Sequence, residues 1–242
     1  MAHAENRLIE LLPKAERQRL LALCESVNLG LATVLCEVGQ PLRHAYFPVD
    51  GFISLITKVD DHPGLEVGMV GREGMVGLDL ALGMVAAPLR TLVQGAGMAW
   101  RISSSDFRLA LPASPMLQRG LNRYTHVRLV QLATLSACLR YHQIGPRLAR
   151  WLLMSQDRAH ADSFHVTQEF LAYMLGVRRV GITVAAGQLQ RAGLIGYHRG
   201  ELSVLNRAGL EAAACSCYRA DCLAYQEALG SDPAVPLVAL PA

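Results

Sequence analysis

Hydrophobic positions along the first half of the chain follow two different patterns. Leucines and an isoleucine recur at helical spacing over residues 7–27, where Pro13 interrupts them, and this spacing predicts a pair of N-terminal helices. From Gly30 to about Leu111, short apolar runs such as GFISLITKV alternate with turn-forming glycines. That alternation is typical of short antiparallel strands in a roll or barrel. We therefore predict that residues 1–113 form N-terminal helices and an antiparallel β-roll of the jelly-roll type.

The next pattern, over residues 114–143, is a long helical stretch with no proline after Pro115 and apolar residues on more than one side. A helix that is apolar on two sides packs on two surfaces. We expect one surface to be the roll and the other a second copy of the chain; the alternative is a central helix buried within a monomer. The residues predicted to contribute to dimerisation are Leu121, Tyr124, Arg128, Leu132, Leu135 and Leu139.

Residues 144–230 carry the signals of several shorter elements. Pro146 begins one helix, Thr167 can cap a second, and Gly176 breaks the pattern before a third helix that begins near Arg178 or Arg179. The segment YHRGELSVL predicts two strands joined by an Arg-Gly turn, and Asn206 can cap a final helix that runs through Cys215 and Tyr218. Residues 231–242 contain three prolines and are predicted to be a flexible tail.

The helix over residues 179–191 has one sealed side and one open side. Ile182, Ala185 and Leu189 share a face and would pack on the preceding helix. Two helices joined by a tight turn and followed by a hairpin form a winged helix-turn-helix, whose outer face enters the major groove of DNA. A helical hairpin whose valines pack on another domain is the alternative. The residues predicted to contact DNA are Arg178, Arg179, Val180, Thr183, Val184, Gln188, Thr167, His198 and Arg199.

Composition and charge narrow the function classes. The net charge is only +3, but residues 143–210 hold eight arginines against four acids. Lys14 and Lys58 are the only lysines, and this preference for arginine suits phosphate and guanine, although a high-GC coding bias would give the same preference. Because the chain has no uncharged apolar run of about 18 residues, no membrane span is predicted. The six scattered cysteines suit a reducing cytoplasm. We find no GxSxG motif, Walker-type loop or paired carboxylates, so an enzyme is not predicted.

The order of these elements, with the motifs EGMVGLDLALG and LGVRR…AAGQLQRAGLI…YHRGEL, resembles the Crp/Fnr superfamily of bacterial transcription regulators. The resemblance implies an α+β fold with a cyclic-nucleotide-binding-like β-roll, a long dimerisation helix and a C-terminal winged helix-turn-helix. It also implies a cytoplasmic homodimer that binds a palindromic operator and acts on RNA polymerase. Arg179 corresponds to a base-contacting arginine of the family, whereas Val180 and Val184 replace polar base readers, so a different operator is expected.

The resemblance also places a candidate effector site in the roll, at Arg90, Thr91, Gly77 and Leu78. In cAMP-binding members an Arg-Ser pair binds the phosphate and a glutamate binds the ribose. Arg90 and Thr91 correspond to that pair, but Leu78 occupies the glutamate position, and apolar Leu132 and Ala133 lie where the base would be contacted. No cofactor is therefore firmly predicted, and a cyclic nucleotide would lack its ribose ligand. A structural role for Arg90, paired with Glu73 or Asp79, is the alternative.

The cysteines suggest a second kind of sensor. Cys215, Cys217 and Cys222 lie close together in sequence, but they lack paired CxxC spacing and a clear fourth ligand. An iron-sulfur branch of the superfamily uses an N-terminal cluster, and only Cys24 and Cys36 lie early here. No metal site is therefore predicted. The alternative to a DNA-binding regulator is a small-molecule or redox sensor that acts through protein partners.

Overall fold

The computed structural model describes residues 6–62, 64–159 and 161–230, so the predicted tail lies outside the described residues. The two predicted N-terminal helices are α1 (Arg7–Glu10) and α2 (Lys14–Ala22), which are separated at Pro13. Asn6 caps α1 and is fully buried, and its amide nitrogen donates to the carbonyl oxygens of Pro48 and Gly74, both at 2.9 Å. The N-terminal helices are thereby attached to the roll.

The roll consists of two antiparallel sheets. One has the strand order β1-β7-β3 and the other the order β2-β6-β4-β5, with a short 3₁₀ helix at Leu78–Leu82 between β5 and β6. The predicted antiparallel roll is confirmed. Its strands are β1 (Glu25–Leu29), β2 (Val34–Cys36), β3 (His44–Pro48), β4 (Phe52–Thr57), β5 (Leu65–Val70), β6 (Arg90–Gly95) and β7 (Gly97–Ser103).

Helices α3 (Ser104–Ala110) and α4 (Pro115–Tyr141) follow the roll. One side of α4 is buried against the roll through Leu117, Leu121, Tyr124 and Val127. Leu121 and Tyr124 are 1% and 2% exposed, so their predicted role in dimerisation is wrong. The roll of the same chain needs these side chains to complete its own core, and a second copy could not reach them.

A helix of the same chain covers another side of α4. After α8 (Arg207–Ala213) the backbone leaves the helical region at Ala214, and a separate helix α9 (Cys217–Leu229) runs back along α4. Asn206 caps α8 as predicted, but the prediction of one helix through Cys215 and Tyr218 is wrong. The break lets Tyr225 and Leu229 of α9 enter the core that α4 shares with the roll.

The C-terminal domain contains α5 (Ile144–Ala159), α6 (Gln168–Leu175) and α7 (Arg179–Arg191). Its three-stranded antiparallel sheet has the order β8-β10-β9, formed by Ser163–His165, Glu201–Val204 and Ile195–His198. The hairpin β9–β10 was predicted, and β8 was not. None of the described helices is long and apolar enough alone to cross a membrane, although α6 and α7, bent by 109°, pass that length and composition test as a pair.

The two domains share one apolar core. Phe52, Ile56 and Met69 of the roll belong to the same buried cluster as Leu171 and Ile182 of the C-terminal domain. Polar groups also cross this boundary, because the indole nitrogen of Trp151 donates to the buried Glu66 carboxylate at 2.8 Å and Arg158 forms an ion pair with Glu73, also at 2.8 Å.

Candidate nucleic-acid interface

The helices α6 and α7 meet at a sharp angle that local sequence determines. The hydroxyl of Thr167 accepts a hydrogen bond from the Phe170 amide at 3.1 Å and caps α6. Gly176 ends α6 at φ 62°, a left-handed conformation that glycine adopts at little cost. The resulting bend of 109° between α6 and α7 lies within the range of helix-turn-helix motifs.

The inner side of α7 is sealed as predicted. Ile182 is fully buried, and Ala185 and Leu189 are 3% and 7% exposed. These side chains pack in the cluster that contains Leu171 and Leu175 of α6. Packing of the inner side therefore fixes the angle between the two helices. The other side of α7 does not contribute to this packing.

The outer side of α7 is open to solvent in the part of the chain that the structure describes. Val180 and Val184 are 67% and 55% exposed. This exposure argues against the alternative of a helical hairpin whose valines pack on another domain. Arg178, Arg179 and Gln188 are also exposed. The Arg179 guanidinium lies 3.8 Å from the carboxylate of Glu169, a solvent-exposed pair that is weak and easily exchanged for another anion.

Thr183 and the start of α7 are oriented by α6. The Thr183 hydroxyl donates to the side-chain oxygen of Gln168 at 2.6 Å. Thr167, Arg178 and Arg179 line one cleft of about 1240 Å³, whose other wall includes Val59 and His62 of the segment between β4 and β5. Three of the predicted DNA-contacting residues therefore border the same open space beside the roll.

The predicted wing is the hairpin β9–β10. Its turn is formed by Arg199 at φ 49° and Gly200 at φ 86°, two successive left-handed residues that suit a tight two-residue hairpin. His198 and Arg199 are exposed at this tip. The imidazole Nδ1 of His165 lies 2.7 Å from the Glu201 carboxylate and ties the neighbouring strand β8 to the hairpin.

A second candidate site is a cavity of about 380 Å³ in the roll. Gly77, Leu78 and Thr91 line it, as the effector prediction requires, but Arg90 is not among the lining residues. Arg90 instead forms an ion pair with Glu37 at 3.1 Å. The alternative pairing of Arg90 with Glu73 or Asp79 is not observed, because Arg90 pairs with Glu37, which directly follows β2 beside β6, and Glu73 pairs with Arg158.

The lining of this cavity, which also includes Arg43 and Arg128, departs from the cAMP-binding pattern at the positions named above. The arginine that would bind a phosphate is paired with Glu37, and Leu78 and Leu132 present hydrocarbon where ribose and base would need polar contacts. Burial raises the pKa of Asp79, and burial followed by the nearby Arg101 charge lowers the pKa of His44, so both lining groups are shifted toward their neutral forms.

Sequence reasoning missed one group of side chains altogether. One residue of α4, the residue that follows this helix and two residues at the α8–α9 junction bring their ligand atoms within 4.8 Å of one another; they are Cys138, His142, Cys215 and Cys217. We name this group the Cys3His cluster. The available signal was the i, i+4 spacing of Cys138 and His142, which places both side chains on one face of a helix.

Comparison with known proteins supports the architecture. Residues 146–213 match the family model of the Crp-like helix-turn-helix domain, and no curated protein matches the chain. Many solved structures have the same fold. They include the c-di-GMP-responsive global regulator CLP of Xanthomonas campestris (19% identity, 79% of this chain and 99% of that chain covered, TM-score 0.65). A putative Crp/Fnr-family transcriptional regulator of Eubacterium rectale covers more of the chain (17% identity, 85% and 96%, TM-score 0.66).

A third such structure is FixK2 of Bradyrhizobium japonicum, with 15% identity, 79% and 98% of the two chains covered and a TM-score of 0.64. At these identities the likeness establishes the fold. Together with the helix-turn-helix match, it confirms the predicted resemblance and the predicted fold class.

Proposed function

The chain has the Crp/Fnr regulator fold with a Crp-like helix-turn-helix domain at residues 146–213, and from this premise we propose that it is a sequence-specific DNA-binding transcription regulator. One observation carries the proposal: the outer side of α7 is open and combines arginines with exposed valines. Arginine forks suit guanine edges and phosphates, and valine methyls suit the methyl group of thymine. A face of this composition is typical of major-groove readout.

The regulator acts as a homodimer on a palindromic operator. Between the sides of α4 that contact the roll and α9, a strip remains exposed in the described chain: Leu129, Leu132, Ala133, Ser136 and Arg140. Leu129 is 61% exposed, although leucine is usually buried. Small residues beside leucines allow two such helices to approach closely. A twofold axis through this strip would give two α7 helices for two operator half-sites.

The remaining residues predicted for dimerisation have other neighbours. Arg128 donates to the Met69 carbonyl at 3.3 Å and to Gln131 at 2.9 Å, contacts within its own chain. Leu135 and Leu139 are half-buried beside Arg147 and Trp151 of the C-terminal domain. We therefore assign the interface to the exposed strip, in which Leu132 is retained from the sequence prediction.

Effector control belongs to the roll cavity. Leu132 lines this cavity and also lies on the exposed strip, so a ligand in the cavity would touch the surface that a second copy covers. The mostly apolar lining favours an organic ligand with few charged groups over a cyclic nucleotide. Bound near a promoter, the dimer would act on RNA polymerase, in the cytoplasmic setting that the family resemblance implies.

The direct test is selection of bound sequences from random duplex DNA, followed by titration of the selected site with variants. We expect Arg179→Ala to reduce the free energy of binding to the selected site by about 1–3 kcal/mol, which is roughly a 5- to 150-fold weaker affinity. It should also relax the base preference at one position of each half-site. Arg108→Ala is the matched control, since Arg108 is an exposed arginine on α3 away from α7. It should bind the selected site like the parent.

Two results would reject the proposal. Enrichment of no sequence would favour the alternative sensor that acts through protein partners. Equal weakening by Arg179→Ala on selected and scrambled DNA would show that Arg179 contacts only phosphate, and steep salt dependence on both DNAs would identify that binding as non-specific.

A further inference from the structure

The Cys3His cluster lies at the joint between the two domains. Cys138 is in the last turn of α4, and His142 is the residue at which α4 ends, two positions before α5 begins. Cys215 and Cys217 flank the start of α9, and the amide of Cys215 donates to the Pro146 carbonyl of α5 at 3.3 Å. The cluster therefore joins the C-terminal end of α4 to the junction between α8 and α9.

The cluster has the donor set of a structural zinc site. Three thiols and one imidazole are a common tetrahedral ligand set for Zn²⁺. The three sulfurs are shielded from water, since Cys138 is fully buried and Cys215 and Cys217 are 7% and 6% exposed. His142 is half-buried and closes the fourth corner. A closed site with four protein ligands is structural rather than catalytic, because no position is left for a substrate.

Two of the six distances between ligand atoms can be compared with those of a zinc tetrahedron. Zn–S bonds of about 2.3 Å and Zn–N bonds of about 2.0 Å put two sulfur ligands about 3.8 Å apart and a sulfur and a nitrogen about 3.5 Å apart. The Cys138 and Cys215 sulfurs are 3.6 Å apart, and the Cys217 sulfur is 3.5 Å from His142 Nδ1. All four ligand atoms lie within 4.8 Å of one another. Binding would need only small side-chain rotations.

The surroundings also suit the charge of such a site. Three thiolates around Zn²⁺ carry a net charge of about −1 at low solvent exposure, which needs a nearby cation. The guanidinium of Arg150, held by Asp221 at 2.6 Å, lies close enough to Cys138 and Cys215 to interact with their charges. Because Asp221 balances much of the Arg150 charge, Arg147, which also interacts with Cys138 and Cys215, supplies a second positive charge near the site without being a ligand.

We propose that the Cys3His cluster binds one Zn²⁺ ion per chain and fixes the C-terminal end of α4 to the α8–α9 junction. The ion replaces the thiol protons, so binding releases protons and involves no change of oxidation state. Because the ligands come from α4 and from the end of the C-terminal domain, the metal sets how the DNA-binding domain leaves the long helix. This site is separate from the roll cavity and from α7.

The test measures metal in the full-length protein, purified under reducing conditions without chelator. We expect about one zinc per chain by elemental mass spectrometry and an apparent dissociation constant below about 10 nM in competition with a chromophoric chelator. Cobalt added to the metal-free protein should give thiolate-to-cobalt absorption and the intense visible bands of a tetrahedral site. Cys222→Ser is the matched control, because Cys222 lies on α9 outside the cluster, and it should keep the metal.

Two variants separate ligation from folding. Cys215→Ser should lose zinc, but it could also disturb the buried core. His142→Ala alters only a half-buried side chain and should weaken zinc affinity by at least about 10-fold, in line with the removal of a ligand-shell group. His142→Cys restores four ligands and should recover tight binding with a cobalt spectrum shifted toward that of four thiolates.

The proposal is overturned if the reduced parent protein neither contains zinc nor binds zinc or cobalt with submicromolar affinity. It is equally overturned if Cys222→Ser loses as much metal as Cys215→Ser, or if Cys138 and Cys215 are joined by a disulfide whose reduction does not permit metal binding. None of these measurements uses DNA, so their failure is independent of the proposed regulatory function.

Discussion

The DNA-binding domain and the roll differ in how well their side chains match the partners expected of this fold. On α7, the inner residues are buried, while the outer arginines and valines face solvent and remain available to DNA. In the roll, the cavity is retained, but Arg90 is paired with Glu37 and Leu78 occupies the position expected of an acid. Side chains suited to DNA are therefore exposed on α7, whereas the roll cavity lacks the side chains expected at a cyclic-nucleotide site.

The difference shows which features can vary in such a protein. A recognition helix works only if its outer side chains are free, whereas a roll remains stable with any lining that packs. Three experiments test this difference, in descending order of expected effect. They change the exposed strip of α4, the boundary between the domains, and Arg90, which pairs with Glu37 outside the cavity lining.

The largest effect should come from Leu129→Glu on the exposed strip. A charge there would be buried at the interface between two copies, so we expect monomers by light scattering and an affinity for the palindromic site lower by at least about 100-fold, as the second half-site is lost. Leu109→Glu is the control, since Leu109 of α3 is 74% exposed. An unchanged dimer mass for Leu129→Glu would move the interface elsewhere.

A smaller effect is expected at the domain boundary, from Glu66→Gln. Burial raises the pKa of Glu66 to about 7, so the folded protein retains a proton that the unfolded chain loses near the ordinary carboxyl pKa. The fold is therefore progressively destabilised as the pH rises from about 4.5 to 7, and the loss is complete above that range. In the parent, the Ser54 hydroxyl and the Trp151 indole both donate to Glu66. Glutamine would still accept from Trp151 and would instead donate to the Ser54 hydroxyl, without the charge.

We accordingly expect Glu66→Gln to melt several degrees above the parent at pH 8, a gain of about 3 kcal/mol in the free energy of unfolding, and to approach the stability of the parent below pH 4.5. Thermal unfolding followed by circular dichroism measures both. The control is Glu227→Gln, because Glu227 is exposed on α9. A parent whose stability does not change between pH 5 and pH 8 would contradict this role of Glu66.

The smallest effect is expected from Arg90→Ala. Both side chains of its ion pair with Glu37 are partly exposed, so the free energy of unfolding should fall by less than about 1 kcal/mol. Titration calorimetry with cAMP should show no binding at micromolar concentration for either protein. Micromolar binding by the parent that Arg90→Ala abolishes would show that Arg90 can turn into the cavity, and the contrast between the two domains would then be lost.

Local patterns were sufficient to predict most elements and the exposed outer side of α7. The spacing of Ile182, Ala185 and Leu189 and the signals at Thr167 and Gly176 depend on neighbours in sequence, and they predicted α6 and α7 correctly. Long-range packing was not predictable in this way. The return of α9 onto α4, the burial of Tyr124 and the choice of Glu37 by Arg90 depend on residues far apart in the chain.

The Cys3His cluster was missed for the same reason. Cys138 and Cys215 are 77 residues apart, and neither pair of ligands has a recognisable metal-binding spacing by itself. Only the fold brings the two pairs together.

The apolar core common to both domains constrains how this protein can evolve. Met69 of the roll and Ile182 of α7 belong to one packed cluster, so a substitution in either half must be compatible with side chains of the other. Replacing one domain with that of a relative would therefore disturb the packing of this cluster. Under the proposed function, new operators would therefore arise by changes on the outer side of α7, and new signals by changes in the cavity lining, without changes to the cluster that joins the two domains.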